Sequence, residues 1–322
     1  MKKILVTGAA GYIGGQTALQ LLDSGYDVIG LDLRPLPAHL EGRFEFVQTD
    51  FASHRSLDLI ANSNLSAIIH CAGTSLVGPS NANPREYWHN NSAKTLALLD
   101  TLLFMDNRPR VVFSSSAAVY GDPIMTPCFE VDPLSPISVY GQSKLMIEWF
   151  LSAYAKAYGL DFVSFRYFNV AGADPQGRHG QDAGATHIVA RLLESVRDNL
   201  EFTCFGNDYS TPDGTCLRDY IHVHDVARAH VLAVEQKVPC GVYNLGTNQP
   251  TSNKEVINIV AQVTGTDPNV VYGSRRDGDP EKLSADSTLF NRLGEWSTVY
   301  TLQDMVKHAW DWYCRNDLLP TK

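Results

Sequence analysis

Tyr140 and Lys144 stand four residues apart in "SVYGQSKL" (Ser138 to Leu145), with Gly141 and small polar residues between them. In a helix that spacing puts both side chains on one face. A lysine held beside a phenol lowers its pKa and turns tyrosine into a base near neutral pH. An amphipathic surface face or a chance pairing gives the same spacing, so Tyr-x3-Lys alone is a weak signal. A third group, Ser116 at the end of "VVFSSSAAVYG", supplies a hydroxyl able to hold a substrate oxygen. The energetics are demanding. A phenol of pKa ~10 must drop about three units, or roughly 4 kcal/mol, to work near pH 7. One ammonium ~6 Å away at an effective dielectric near 20 contributes ~2.8 kcal/mol, about two units. Lys144 is expected to lower Tyr140 but to need a second positive charge.

The elements that must position these groups alternate in type. "KILVTG", "DVIGLD", "FEFVQTD", "AIIHCAG", "RVVFSSS" and "DFVSFRYFN" read as buried strands. Between them lie helical stretches over Tyr12–Ser24, Ser53–Asn62, Pro84–Met105 and Val139–Tyr158, the last closed by Gly159. Strand and helix in alternation predict a parallel sheet covered on both faces. After Asn169 the pattern loosens into a helix over Ala185–Asn199, short strands, turns, and a final helix over Leu302–Arg315. The expected fold is α/β, a doubly wound parallel Rossmann-type sheet over residues 1–170 with a second, smaller mixed α/β lobe over 171–322. Part of 217–246 is assigned back to the first lobe. The cleft between the lobes is the expected site.

"VTGAAGYIG" follows the first strand and opens the first helix, with Gly8, Gly11 and Gly14 three residues apart. Such glycines let backbone approach a pyrophosphate while the helix N-terminus presents N–H groups and a positive dipole. A tight turn without ligand is the bland alternative; the strand-turn-helix context favours a dinucleotide. The second strand ends "GLDLR", placing Asp32 where a carboxylate accepts both hydroxyls of an adenosine ribose and repels a 2'-phosphate, hence NAD. Arg34 argues the other way, as a phosphate partner for NADP. Asp50, ending the third strand, suits either the adenine amino group or a helix N-cap. Oxidised NAD also carries the second positive charge that Tyr140 requires.

The 322 residues suffice for a full core, with 44% hydrophobic and 19% charged residues. The net charge of -9 argues against nucleic acid and anionic membrane surfaces as partners. Cys71, Cys128, Cys204, Cys216, Cys240 and Cys314 form no Cys-x-x-Cys pair and no metal-ligand spacing. They read as reduced thiols of a cytoplasmic protein. His222 and His224 lack a third ligand, so no metal is expected. The N-terminal apolar run breaks at Thr7-Gly8, too soon for a signal peptide, and no run of ~18 apolar residues appears.

With Gly-x2-Gly-x2-Gly, a serine-rich strand end and Tyr-x3-Lys in order, the chain resembles the extended short-chain dehydrogenase/reductase family. "FSSSAAVYGD", "YGQSKLMIE", "FRYFNVAGADPQG", "FGNDYSTPDGTCLRDYIHVHD", "YNLGT" and "RRDGDP" are similar to segments of its UDP-hexose 4-epimerase branch. The resemblance implies NAD-dependent 4-epimerisation of UDP-galactose and UDP-glucose through a 4-keto sugar, in a homodimer joined by the Pro84–Met105 and Val139–Tyr158 helices. It implies that Tyr140 takes the 4-hydroxyl proton, Ser116 holds the 4-oxygen and Lys144 bridges the nicotinamide ribose. Cofactor contacts carried over are Gly8, Gly11, Tyr12, Ile13, Gly14, Asp32, Asp50, Phe51, Ala72, Gly73, Asn91, Ser114, Tyr167 and Phe168. Asn169 and Phe205 carry over to the UDP phosphate and uracil, and Arg218 and Arg276 to the diphosphate, as bidentate clamps. A salt bridge with Asp219 or Asp279 is the alternative for each arginine. Leu283 falls where a side chain gates the sugar 2-substituent, and a residue smaller than tyrosine there implies room for UDP-GlcNAc and UDP-GalNAc. Leu33, Ser75 and Lys94 depart from the asparagine, lysine and glycine usual at those positions. Ala117 and Ala118 after Ser116 cannot move a proton, which argues against a dehydratase. Another sugar-nucleotide oxidoreductase, on a UDP-pentose or UDP-uronic acid, and a non-catalytic NAD(H) sensor are the rival readings.

Overall fold

The computed structural model describes residues 2–276 and 279–315; the middle of "RRDGDP", residues 277–278, lies outside. Seven parallel strands form the main sheet: β1 (Lys3–Thr7), β2 (Asp27–Asp32), β3 (Glu45–Gln48), β4 (Leu65–His70), β5 (Arg110–Ser116), β6 (Phe162–Tyr167) and, later in the chain, β10 (Gly241–Leu245). Their order is β10-β6-β5-β4-β1-β2-β3. The order reverses between β1 and β4, so the strand ends there open a crevice for ligand.

Alternate residues along each strand feed two cores. Ile4, Val6, Val28, Ala67, Ile69, Val112, Val163 and Phe165 pack under α1 (Tyr12–Asp23) and, further along, α8 (Val223–Val234). Leu5, Ile29, Leu31, Ile68, Val111, Phe113 and Phe162 pack on the other face. That face is covered by α2 (His54–Ala61), α5 (Lys94–Leu102) and α6 (Val139–Tyr158). Burial on both faces is why these strands read as unbroken apolar runs.

Between β4 and β5 lie α3 (Val77–Ser80) and α4 (Pro84–Tyr87), then a π-helical turn over Trp88–Ala93 that runs into α5. The single helix expected over Pro84–Met105 is therefore two helices joined by a wider turn. The expected strand "DFVSFRYFN" also divides, because Phe168 turns the chain and β7 (Asn169–Ala171) pairs instead with β9 (Leu217–His222).

The remaining elements are α7 (Ile188–Asp198), β8 (Phe202–Phe205), β11 (Pro250–Ser252), α9 (Asn253–Thr264), β12 (Val270–Gly273), β13 (Lys282–Leu283), α10 (Thr288–Gly294), whose Phe290 packs into the first core against Phe165 and Tyr243, and α11 (Leu302–Arg315). Helices α7, α9 and α11 enclose a third core that includes Leu192, Leu193, Val256, Val260, Val306 and Trp312. The sequence reading passed over α8 and α9. Helix α9 has a capping box, Ser252 with Glu255, a signal that was readable. Among the described residues no helix is long and apolar enough to cross a membrane.

Candidate active site

The glycine loop follows β1 and is shaped by contacts that a side chain would destroy. Gly8 has φ +75°, and a Cβ there would sit 2.8 Å from the Ala72 nitrogen. A Cβ on Gly14 would fall 2.1 Å from the Gly8 carbonyl oxygen, so only glycine lets α1 start this close to the loop. Gly11 caps α1 without a side-chain hydrogen bond. The first-turn amides, those of Tyr12 and Ile13 among them, are thus left to an anion. The Tyr12 hydroxyl donates to the Gly172 carbonyl at 2.7 Å, which occupies its side chain and leaves its backbone amide facing the loop.

Asp32 ends β2 mostly buried, accepting from the amides of Ala10 (3.1 Å) and Arg34 (2.9 Å). Arg34 folds back over the loop, donating to the Ala10 carbonyl at 3.0 Å and lying 3.8 Å from Asp182. Leu33 is exposed. Asp50 is not an N-cap: α2 is capped by Ser53, which accepts from the Ser56 amide. Asp50 instead takes the Ala52 amide at 3.0 Å and pairs with Lys94 Nζ at 2.6 Å. Phe51 is buried edge-on to His70. Asn91 Oδ1 accepts from the Thr74 amide at 2.7 Å, and its amide donates to the Thr74 carbonyl and to Ser143 Oγ. Asn91 thereby clamps the loop carrying Ala72, Gly73 and Ser75 against α6.

Ser116 ends β5, and Tyr140 opens α6, which Ser138 caps by accepting from the Gly141 amide. Ser116 Oγ accepts from the Ala118 amide at 3.1 Å, and its hydroxyl lies close enough to the Tyr140 phenol to favour the phenolate. Lys144 Nζ donates to the Ser114 carbonyl at 2.8 Å and sits 5.7 Å from the Tyr140 ring centre. The three groups meet, but the electrostatics reverse the expectation. Burial raises the Tyr140 pKa above its ordinary value; the neighbouring Ser116 hydroxyl opposes this and Tyr87 adds to it. Burial likewise brings Lys144 down to about 8, against a smaller opposing effect of Cys71. Both groups are buried, and for each the desolvation of its charged form is the largest effect. Serine, tyrosine and lysine are in place, and lowering the phenol is left to a bound cation.

Tyr167 pairs in register with Ser116 and donates to His230 Nε2 at 2.6 Å. The His230 Nδ1–H donates to the Val226 carbonyl, which leaves Nε2 as the acceptor. Phe168 is buried with Ala117, Tyr120, Leu145 and Ala285, and Leu283 packs against this cluster. Leu283 is also in register with Arg218. Arg218 is buried and bonds Asp279 at 2.5 Å and the Pro280 carbonyl at 2.6 Å. Asp219, in contrast, accepts four N–H and O–H groups from Thr247, Asn248 and Ala285. Arg276 stacks on Phe205, its guanidinium carbon 4.0 Å from the ring centre. Asn169 is half-buried at the start of β7.

Two positioning residues escaped the sequence reading. Glu148, one turn beyond Lys144 on α6, accepts from Ser115 Oγ at 2.5 Å and pairs with Arg166 at 2.7 Å, both charges buried. Arg166 reaches on to Tyr120 at 2.9 Å, and Tyr120 to Asn244. The repeat Tyr140, Lys144, Glu148 and an arginine inside an apolar strand were the signals.

A glycine loop at the switch point of a parallel sheet, with Ser116, Tyr140 and Lys144 on elements of the same lobe, is the arrangement of a dinucleotide-dependent oxidoreductase fold. Residues 4–246 match the NAD dependent epimerase/dehydratase family, and the chain belongs to it. It is 43% identical over 318 residues to the UDP-glucose 4-epimerase of Halalkalibacterium halodurans, covering 96% of this chain and 95% of that one. It superposes on the Brucella ovis UDP-glucose 4-epimerase solved with NAD (TM-score 0.92, 38% identity, 97% and 98% of the two chains). The Bifidobacterium longum enzyme with NAD+ and UDP is similar too (TM-score 0.91, 34% identity, 98% and 99%).

Proposed function

We propose that this chain interconverts UDP-galactose and UDP-glucose as an NAD-dependent UDP-hexose 4-epimerase, working through a transient 4-keto sugar. The observation that carries this reading is the Tyr140 phenol buried beside Ser116, with Lys144 Nζ 5.7 Å from its ring centre, in the same lobe as a glycine loop that only glycine can form. Gly8, Gly11 and Gly14, with the Tyr12 and Ile13 amides, would hold the pyrophosphate. Asp32 would hold the adenosine ribose, and Asp50, Phe51, Ala72 and Gly73 the adenine side. Lys144 and Ser114 with Tyr167 and Phe168 would border the nicotinamide, and Asn91 fixes the loop beside it. Bound NAD supplies a hydride acceptor, a hydride donor in the return step, and a positive ring. Tyr140 takes the 4-hydroxyl proton and gives it back, Ser116 holds the 4-oxygen, and Asn169, Phe205, Arg218 and Arg276 hold the UDP end.

We further propose a homodimer in the cytoplasm. Trp149 and Tyr158 on α6 and Phe104 just past α5 are exposed apolar groups on the helices assigned to that contact. All six cysteines are free thiols. Incubation with UDP-galactose followed by proton NMR of the sugar tests the activity. The reading expects UDP-glucose without accumulating NADH; consumption of one NAD per sugar overturns the cyclic reaction.

A further inference from the structure

We infer that Lys94 is a cofactor-binding residue which, paired with Asp50, reads the edge of the adenine base. The inference rests on the NAD-dependent reading above. Lys94 opens α5 and its Nζ lies 2.6 Å from Asp50 Oδ2 and 3.0 Å from Asn90 Oδ1. An ammonium has three donors, so one remains after these two contacts. Asp50 Oδ1 takes the Ala52 amide, and Oδ2, with two lone pairs, can accept a second hydrogen beside Nζ. The pair therefore offers an acceptor and a donor on neighbouring atoms.

Adenine presents a matching couple, an amino donor next to a ring-nitrogen acceptor. Hypoxanthine presents the reverse, a carbonyl next to a ring N–H. The two side chains are 19% and 27% exposed, at the rim beside buried Phe51. That is sheltered enough for hydrogen bonds to select and open enough for a base to enter. A partly solvated ion pair adds little to stability, so the pairing is informative mainly for what it presents. Asp50 alone selects the amino group; Lys94 adds the ring nitrogen. Sites built to hydrogen-bond a ligand reject analogues that lack the partner group.

Equilibrium dialysis of the purified protein against NAD and against nicotinamide hypoxanthine dinucleotide tests this, with no turnover involved. Lys94→Met should raise the Kd for NAD about tenfold, equivalent to about 1.4 kcal/mol, with the analogue's Kd held within about twofold. The preference for adenine then shrinks about tenfold. Lys94→Arg, which keeps the donors, should return much of the NAD affinity, and it carries the test if the methionine variant is unstable. Unchanged or tighter NAD binding in Lys94→Met, or equal weakening of both ligands, overturns the role of Lys94 and leaves the proposed function standing. A wild-type protein that fails to bind NAD at all overturns both.

Discussion

Replacing Lys144 by methionine should remove activity and yet make the cofactor-free protein more stable at neutral pH. The folded lysine titrates at about 8 instead of 10.5, because it is buried. At about 1.4 kcal/mol per unit, holding its charge costs about 3 kcal/mol. Losing the 2.8 Å bond to the Ser114 carbonyl returns about 1 kcal/mol of that. The variant should therefore gain about 2 kcal/mol at pH 7. Between pH 8 and 10.5 the unfolded chain holds a proton that the folded chain has shed, so wild-type stability climbs with pH. Methionine has no such dependence, and other titrating groups are common to both proteins. The gap should close by about pH 10, where wild type becomes the more stable. Urea unfolding of both proteins at pH 7, 9 and 10 reads it directly. A gap that is the same at pH 7 and pH 10 would refute the claim that burial depresses Lys144.

Tyr140→Phe should lower kcat by several orders of magnitude with little change in UDP-sugar binding, because the proton acceptor goes and the ring stays; a proportionate loss of binding would count against it. Arg218→Ala and Arg276→Ala should both weaken UDP binding without loss of NAD. Only Arg218→Ala should also lower the melting temperature, since its hydrogen bonds to Asp279 and Pro280 go with it, at about 2 kcal/mol. Acid should unfold the protein steeply. Burial lowers His70 and His222 to about 3 and His179 and His230 to about 4. Below pH 6.5 the unfolded chain binds protons there that the folded chain refuses, so stability falls by about 5 kcal/mol from pH 6 to pH 5. A flat urea midpoint over that unit would exclude it. Leu283→Tyr should reduce kcat/KM for UDP-GlcNAc more than for UDP-glucose, by ~1 to 3 kcal/mol of discrimination; equal effects would mean that Leu283 only packs on the Phe168 cluster.

Local signals carried the first lobe well. β2, β5 and α6 fall on the expected residues because runs buried on both faces and the helix signals Ser138 and Gly159 are properties of short stretches. The cradle was legible in part for the same reason, since Gly14 is demanded by a backbone contact with Gly8 within one turn; Gly8 itself is held to glycine by its φ of +75° and by the distant backbone of Cys71 and Ala72. What was hidden depends on distance. Phe168 diverts the chain because β7 finds a partner some fifty residues later in β9, and nothing in "YFNVAG" announces that pairing. The Tyr140 pKa was misjudged because spacing gives the distance to Lys144 but not the dryness around both. The Asp50–Lys94 pair likewise brings together residues on separate elements, whereas the Arg218–Asp279 ion pair is the alternative that the sequence already offered for that arginine.

The return of β10 to the edge of the main sheet limits how this protein can be cut. Strand β6 is paired on one side with β5 and on the other with residues 241–245, which are supplied only after the chain has passed through much of the second lobe. A fragment ended near residue 170 would keep the glycine cradle and the Ser-Tyr-Lys group. It would also leave Phe162–Tyr167 as a bare, apolar edge, and α1 without the cover of α8. Such an edge recruits other strands. The cradle is therefore not a portable cofactor module: expressed alone, it should aggregate, and grafting it elsewhere requires the distant strand to travel with it.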